Sequence, residues 1–205
     1  MSFMNALKTE RMRAAILLDL ATGLRRGELL ALEWPDIDFA AGTLRVNKQL
    51  VRIAVFESRV RSGTKLEIIR PKTKCSNRIV PLNDAILNIL KWHKQEQNME
   101  KNRAGNAYTD MNLVFCTELG NFYEPRNFLR LVYTLCKRAG IDRINVHTLR
   151  HTFATRMLEA GEAAKIVQEI LGHEDITTTL NRYTHVLPDT KKKSVQKLNF
   201  LFHQL

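Results

Sequence analysis

The chain has 205 residues, of which 44% are hydrophobic and 26% charged, and these proportions are typical of a soluble globular domain. No run approaches the ~18 apolar residues that would cross a bilayer, and three widely spaced cysteines indicate reduced thiols, which excludes a disulfide framework or a zinc site. The formal net charge of +11 favours a polyanionic partner, with nucleic acid as the leading candidate.

The amino-terminal half is predicted to combine short helices with a small sheet. Residues 1–13 contain no apolar signal-peptide stretch, so a cytoplasmic protein is expected. One helix is predicted over residues 5–22, ended by Gly23, and a second over residues 26–32, closed by Trp34-Pro35. Runs rich in β-branched side chains predict three strands of one antiparallel sheet. These strands cover residues 43–53, 67–69 and 78–80, and a polar turn over residues 73–77 joins the last two.

The carboxy-terminal half is predicted to be helical. A helix over residues 83–99 is followed by a polar loop over residues 100–110, and a proline and a glycine bound the next helix, residues 125–139. Gly161 and Gly172 punctuate the remaining helical pattern. Its helices are predicted over residues 146–160, 163–171 and 176–183. The fold class is therefore predicted to be α+β, mainly α-helical, with a small antiparallel β-sheet on one side.

Tyr183 is a candidate nucleophile for a phosphodiester. A tyrosine alone at a helix end is usually a packing residue with a solvated hydroxyl. Because a phenol titrates near ~10, attack at neutral pH needs a proton acceptor and strong positive charge nearby. His147, Arg150 and His173 lie close upstream, and the spacing of His147 and Arg150 puts both on one side of a helix. The segment therefore favours covalent chemistry on a phosphodiester without a metal.

Arg25 and Arg150 are predicted to clamp the phosphate. A guanidinium stays charged and offers a planar fork that matches two phosphate oxygens. A single arginine among 32 basic residues is usually a solvated surface charge. Arg25, however, lies in the run Thr-Gly-Leu-Arg-Arg-Gly-Glu-Leu, which is a much more specific signal than a lone arginine. Arg26 is the adjacent alternative, and Glu28 is expected to orient Arg25. Two such forks would replace the charge that a metal supplies elsewhere.

His147 and His173 are expected to handle protons and to hold phosphate oxygens. A metal pair is the rival interpretation, because His147 and His151 are four residues apart on one helix. A zinc protease motif would need His-Glu-x-x-His, and the run here is His-Thr-Leu-Arg-His, in which an arginine would repel the metal. No metal and no cofactor are therefore predicted, and His151 and His185 are assigned to packing or hydrogen bonding.

These motifs resemble the active site of the tyrosine recombinases, the family of phage and conjugative-transposon integrases. The resemblance runs from about Leu17 to Val186, and its ten-residue spacing from His173 to Tyr183 is closest to the conjugative-transposon branch. It implies a family constellation with every position filled, in the order Arg25, Lys72, His147, Arg150, His173 and Tyr183. The implied reaction is attack by Tyr183 to form a 3′-phosphotyrosine and a free 5′-hydroxyl, reversed by a 5′-hydroxyl from a partner strand.

Lys72 resembles the family's hairpin lysine, whose implied task is to protonate the departing 5′ oxygen. Lys74 competes for this role, because the turn is rich in lysine and hairpin length varies in the family. Lys74, Arg26 and Arg78 are further predicted to contact DNA.

The resemblance also implies partners and domain organisation. Double-stranded DNA is the expected substrate, with four protomers on two duplexes and a monomer when free, in a bacterial cytoplasm or phage-infected cell. Residues 1–186 are predicted to form the catalytic domain, with a tail helix over residues 187–205 that docks on its own domain or on a neighbouring protomer. Because the first arginine motif begins at Thr22, the family's core-binding and arm-binding domains are expected to be absent from this chain. The rival functions are a basic DNA-binding module that does not cut and a type IB topoisomerase.

Overall fold

The amino-terminal helical segment is divided into two helices. The computed structural model describes residues 2–57, 60–70, 77–175 and 177, with α1 at Phe3–Leu7 and α2 at Arg13–Thr22. The prediction of one helix over residues 5–22 is wrong because tertiary contacts fix the intervening turn. Arg11 donates to both carboxylate oxygens of Glu100, at 2.7 and 2.6 Å, and to the carbonyl of Cys116 at 2.6 Å.

A short helix follows the end of α2. Gly23 ends α2 in the left-handed region, with φ of +61°, and its N–H donates to the carbonyl of Asp19 at 2.7 Å. Helix α3 is Arg26–Leu30, and the Glu28 carboxylate accepts from the backbone N–H of Arg25 at its start at 2.9 Å. This contact caps the amino end of α3, which begins as a separate helix.

The strands form two antiparallel sheets, not the single predicted sheet. One has the order β1-β2-β5, from Ile37–Asp38, Thr43–Val46 and Arg78–Pro81, with Leu44 opposite Val80. The other is a hairpin of β3 (Gln49–Glu57) and β4 (Val60–Ile69).

The predicted strand over residues 43–53 is therefore two strands. Lys48, between them, is held by Glu33 at 2.7 Å and Asp36 at 2.9 Å, and propensity does not show this contact. Of the predicted turn over residues 73–77, only Asn77 lies within the described residues.

The remaining helices match the predicted ones except at one end. Helix α4, Asp84–Ala104, begins after Asn83, whose side chain accepts from the N–H of Ile86 at 2.9 Å. It continues through residues predicted as loop, because Glu100 is paired with Arg11. Helices α5 (Pro125–Ala139), α6 (Val146–Glu159) and α7 (Ala164–Leu171) agree with prediction to within a residue. The predicted helix over residues 176–183, apart from Thr177, and the predicted tail helix lie outside the described residues.

The described residues bury two apolar clusters. The main core is formed by the five helices α1 through α5, the β1-β2-β5 sheet and the first turn of α6. Phe115 and Phe128 are fully enclosed in it. A smaller cluster lies between the rest of α6 and α7, and its buried members are Phe153, Ala154, Leu158, Val167 and Leu171. None of the helices in the described ranges combines the length and the apolar character that a membrane span requires.

Candidate active site

Gly23 lets the end of α2 approach α6 and α7 closely. A Cβ at this position would lie 2.7 Å from Phe153 Cδ1 and 2.7 Å from Leu171 Cδ2. The left-handed backbone adds a second reason for glycine, since other residues adopt it only with strain. This contact brings Arg25, two residues later, to the carboxyl end of α7.

Three arginines from distant parts of the chain converge on the carboxyl end of α7. The carbonyl of Ile170 accepts from Arg78 Nε at 2.6 Å, that of Leu171 from Arg150 Nη2 at 2.8 Å, and that of Gly172 from Arg25 Nη2 at 3.0 Å. The last carbonyls of a helix have no partner within it and carry its partial negative charge. The end of α7 therefore holds the three guanidinium groups side by side.

The Glu28 carboxylate bridges two of these arginines, Arg25 and Arg78. It accepts from Arg25 Nη1 at 2.8 Å, and the fork of Arg78 donates to both of its oxygens at 3.2 and 2.8 Å. Burial alone would raise the pKa of the Glu28 carboxyl, but the hydrogen bonds and charges of Arg78 and Arg25 outweigh it and hold that pKa below its usual range. Glu28 is therefore a charged strut that fixes the direction of both guanidinium groups.

Arg150 is buried, with 3% of its surface exposed. Its Nη1 donates to the carbonyl of Gly23 at 2.6 Å, and its Nη2 to that of Leu171. His147 lies one turn earlier on α6 and is exposed, and its ring stands edge-on to that of His151 with centroids 5.6 Å apart. The structure therefore places the first candidate histidine on the helix that carries Arg150.

His173 follows directly after Gly172, whose carbonyl accepts a hydrogen bond from Arg25. Its N–H donates to the carbonyl of Gln168 at 3.2 Å, and its own carbonyl accepts from the side-chain amide of Gln168 at 3.0 Å. Arg25, Arg150 and His173 are thus brought together around the end of α7. Lys72, Lys74 and Tyr183 lie outside the described residues.

Arg78 has partners that sequence reasoning did not foresee. Its side chain is 7% exposed. Its Nε donates to the carbonyl of Ile170, and its Nη1 and Nη2 donate to the carboxylate of Glu28. This placement gives it a supporting position beneath Arg25, while its predicted DNA contact stays a prediction. Arg26, the other arginine predicted to meet DNA, is half-buried and donates to the carbonyl of Pro125 at 3.4 Å.

Asp19 is a buried acid that sequence reasoning missed. It is fully enclosed, and neither of its carboxylate oxygens accepts a hydrogen bond from any residue in the described ranges. Burial raises the pKa of this carboxyl well above its usual range; the charge of Arg150 lowers it in part, and that of Glu28 raises it further. A lone acid within the apolar run Ile-Leu-Leu-Asp-Leu was the available signal.

The described residues offer no metal centre. They contain no group of three or more histidine, cysteine, aspartate or glutamate side chains that could hold an ion. Cys116 and Cys136 are buried free thiols, and Cys75 lies outside the described residues.

Comparison with known proteins identifies the family. The phage integrase family model matches residues 1–189, so the chain belongs to the phage integrase family. A tyrosine recombinase XerC-like protein of Caldanaerobacter subterraneus subsp. tengcongensis is 41% identical over 200 residues, which are 96% of this chain and 51% of that protein. The predicted tyrosine recombinase resemblance is confirmed. The chain spans about half the length of the curated relatives it matches.

Solved structures agree with this family and with the predicted fold class. The integrase of transposon Tn1549, solved in complex with transposon right end DNA, has a TM-score of 0.75 at 25% identity and covers 96% of this chain and 63% of that one. The catalytic domain of bacteriophage HP1 integrase, at 18% identity and a TM-score of 0.56, shares the fold over 95% of this chain and 88% of its own. The α+β, mainly helical fold of a tyrosine recombinase catalytic domain is therefore confirmed.

Proposed function

We propose that the protein is a site-specific DNA recombinase that cleaves and rejoins strands through a 3′-phosphotyrosine, for integration or excision of a mobile element. The observation that carries the proposal is the pair of arginines, Arg25 and Arg150, held on the consecutive carbonyls of Gly172 and Leu171 beside His173. A phosphate that gains charge at phosphorus is stabilised by donors fixed in advance, which need not reorganise during the reaction.

The two arginines contribute differently to this clamp. The side chain of Arg25 is 37% exposed, so its guanidinium can meet a phosphate oxygen directly. Arg150 is almost fully desolvated, so water screens its charge little and its field on a nearby phosphate is strong. Together they supply positive charge at one point without a metal ion or ATP.

The remaining steps belong to residues that family order assigns. The Tyr183 oxygen attacks phosphorus and gives up its proton to an acceptor, for which His147 and His173 are the candidates. The bond from phosphorus to the 5′ oxygen breaks, and Lys72 or Lys74 protonates the departing oxygen. Attack by a 5′-hydroxyl from a partner strand then releases Tyr183, so bond energy is conserved.

The proposed assembly is the one that the family resemblance implies. We propose double-stranded DNA as substrate and four protomers on two duplexes, formed from free monomers in the bacterial cytoplasm or a phage-infected cell. Residues 1–186 act as the catalytic domain, and residues 187–205 dock in the protomer itself or on a neighbour.

Covalent capture on nicked DNA tests the proposal. The protein is incubated with duplexes that carry a randomised segment beside a nick, because the short cleaved strand then diffuses away and traps the adduct. We expect a denaturation-resistant protein–DNA adduct in excess EDTA, enriched for particular sequences, with Tyr183 as the modified residue. Tyr183→Phe should bind the same DNA and form no adduct.

Each rival function has its own outcome. Binding without an adduct by the unaltered protein would indicate a DNA-binding module. Relaxation of supercoiled plasmid without sequence preference or strand exchange would indicate a topoisomerase. Loss of the adduct in EDTA would contradict the metal-independent mechanism.

A further inference from the structure

We propose that Gln168 is a positioning residue for His173, acting through the amide of its side chain. The inference rests on the proposed function, since it concerns how that site is assembled. Gln168 lies in the last turn of α7 and is 7% exposed. Its Nε2 donates to the carbonyl of His173 at 3.0 Å and reaches that of Glu174 at 3.5 Å.

The backbone at this helix end needs no glutamine. Gly172 adopts the left-handed conformation with φ of +65°, and the N–H of His173 returns to the carbonyl of Gln168. This is the common glycine-terminated end of a helix, and any residue can supply the accepting carbonyl. The side-chain amide adds separate hydrogen bonds, which reach beyond the helix to the carbonyls of the two residues that follow the glycine.

The orientation of the amide is set by a third neighbour. Lys165 Nζ donates to Gln168 Oε1 at 3.0 Å, so the oxygen faces the lysine and the nitrogen faces the carbonyls. The reverse orientation would set the amide oxygen against two carbonyl oxygens, which repel it. Gln168 therefore has one stable orientation, and it is the one that fixes His173.

The contact completes a series along the chain. The carbonyls of Leu171, Gly172 and His173 are each held by one side chain, from Arg150, Arg25 and Gln168 in turn. The backbone of His173 is thereby fixed relative to both arginines of the clamp. A misplacement of about 1 Å in such a site can cost about 10²-fold in rate, so the glutamine has kinetic consequences that a helix cap alone would not have.

Gln168→Met tests this role, with Gln97→Met as the matched control. Gln97 is also a buried amide whose Nε2 donates to two carbonyls, those of Leu113 at 3.0 Å and Val114 at 3.3 Å, but it lies on α4. On the duplex enriched by covalent capture, we expect Gln168→Met to slow adduct formation by about 10-fold or more. Its DNA affinity should change by less than about 2-fold, and Gln97→Met should cleave at the unaltered rate per folded molecule.

A double substitution separates positioning from general loss of structure. If Gln168 acts through His173, then Gln168→Met should slow the His173→Ala protein by less than about 2-fold. Losses that multiply in the double variant, or an unaltered rate in Gln168→Met, would overturn the proposal. Gln168→Glu carries the same test if the methionine variant does not fold, because glutamate keeps the shape and lacks the donor.

Histidine NMR gives a readout that does not depend on cleavage. In Gln168→Met, the ring signals of His173 should move while those of buried His93 stay in place; in Gln97→Met, the His173 signals should be unchanged. Unmoved His173 signals in Gln168→Met would overturn the inference even if the protein cuts no DNA. Absence of any adduct from the unaltered protein would count against the proposed function instead.

Discussion

Arg150 and Gly23 are joined by a hydrogen bond of 2.6 Å, from a guanidinium buried on α6 to the carbonyl that ends α2. The same guanidinium reaches the carbonyl of Leu171, so one side chain ties α2, α6 and α7 together at the site. A charge held in this way is a fixed part of the fold and also the centre of the proposed clamp.

Replacing Arg150 with lysine should abolish most cleavage. An ammonium has no planar fork and cannot span the carbonyls of Gly23 and Leu171 while facing a phosphate. We expect Arg150→Lys to lower the rate of adduct formation by about 10²–10³-fold, measured on the nicked duplex at saturating protein. Arg156→Lys is the control, because Arg156 lies on the same helix and pairs with Glu159 in solvent. Similar rates in the two variants would contradict the clamp.

Gly23→Ala should destabilise the fold more than Gly140→Ala. Both glycines have positive φ, +61° and +69°, but only Gly23 would place a Cβ against neighbours, whereas nothing lies within 4 Å at Gly140. The shared left-handed strain costs about 1 kcal/mol, and the contacts with Phe153 and Leu171 add about 1–3 kcal/mol at Gly23. Urea unfolding measures the difference. Equal losses would mean that the helices separate easily at this point.

Asp19→Asn should stabilise the protein at neutral pH. Because burial raises the pKa of Asp19 in the folded state, its contribution to stability is full below the unfolded pKa and is lost as the pH rises through the folded one. The asparagine variant escapes that loss, so we expect it to be more stable by about 1–3 kcal/mol at pH 7, with the gap closing below about pH 4. Chemical denaturation across this range measures it. A gap that does not change with pH would show that Asp19 does not titrate in this way.

Glu28→Gln should have the opposite pH dependence. The arginines hold the pKa of Glu28 low in the folded state, so its contribution is present above the unfolded pKa and is lost as the pH falls through the folded one. We expect the variant to lose about 3 kcal/mol at pH 7 and progressively less below about pH 4, because a buried pair is broken.

The exposed pair of Arg156 and Glu159 supplies the control for Glu28. Glu159→Gln should cost about 0.5 kcal/mol or less. If Glu28→Gln cost no more than that, Glu28 would not be the strut that the geometry indicates.

Local patterns were sufficient for the elements that end in clear signals. Pro125 and Gly140 bound α5 as predicted, and Gly172 ends α7, because these residues determine the backbone where they stand. The run around Arg25 likewise pointed to the residue that meets the end of α7. Helix ends and motifs that depend on neighbouring residues can therefore be predicted from a single sequence.

Contacts between distant residues were not predictable in the same way. The break between α1 and α2 and the length of α4 both depend on the pairing of Arg11 with Glu100, which no periodicity reports. The positions of Arg78 beneath Glu28 and of Gln168 beside His173 depend on where α7 ends in space. Sequence spacing selected Arg25, Arg150 and His173 as candidates, and packing determines that they meet at the end of α7.

The small apolar cluster between α6 and α7 leads us to expect that this helix pair opens locally before the main core does. Its buried members do not belong to the main core, and Arg25, Arg78 and Arg150 fasten its end to the rest of the molecule. When the pair opens locally, its amides exchange with solvent before those of the main core do. The same opening pulls apart the arginines that would hold a phosphate. A protomer in which this helix pair is open would therefore not cleave DNA. Damage or heat would then produce an inactive protein rather than one that nicks DNA without resealing it.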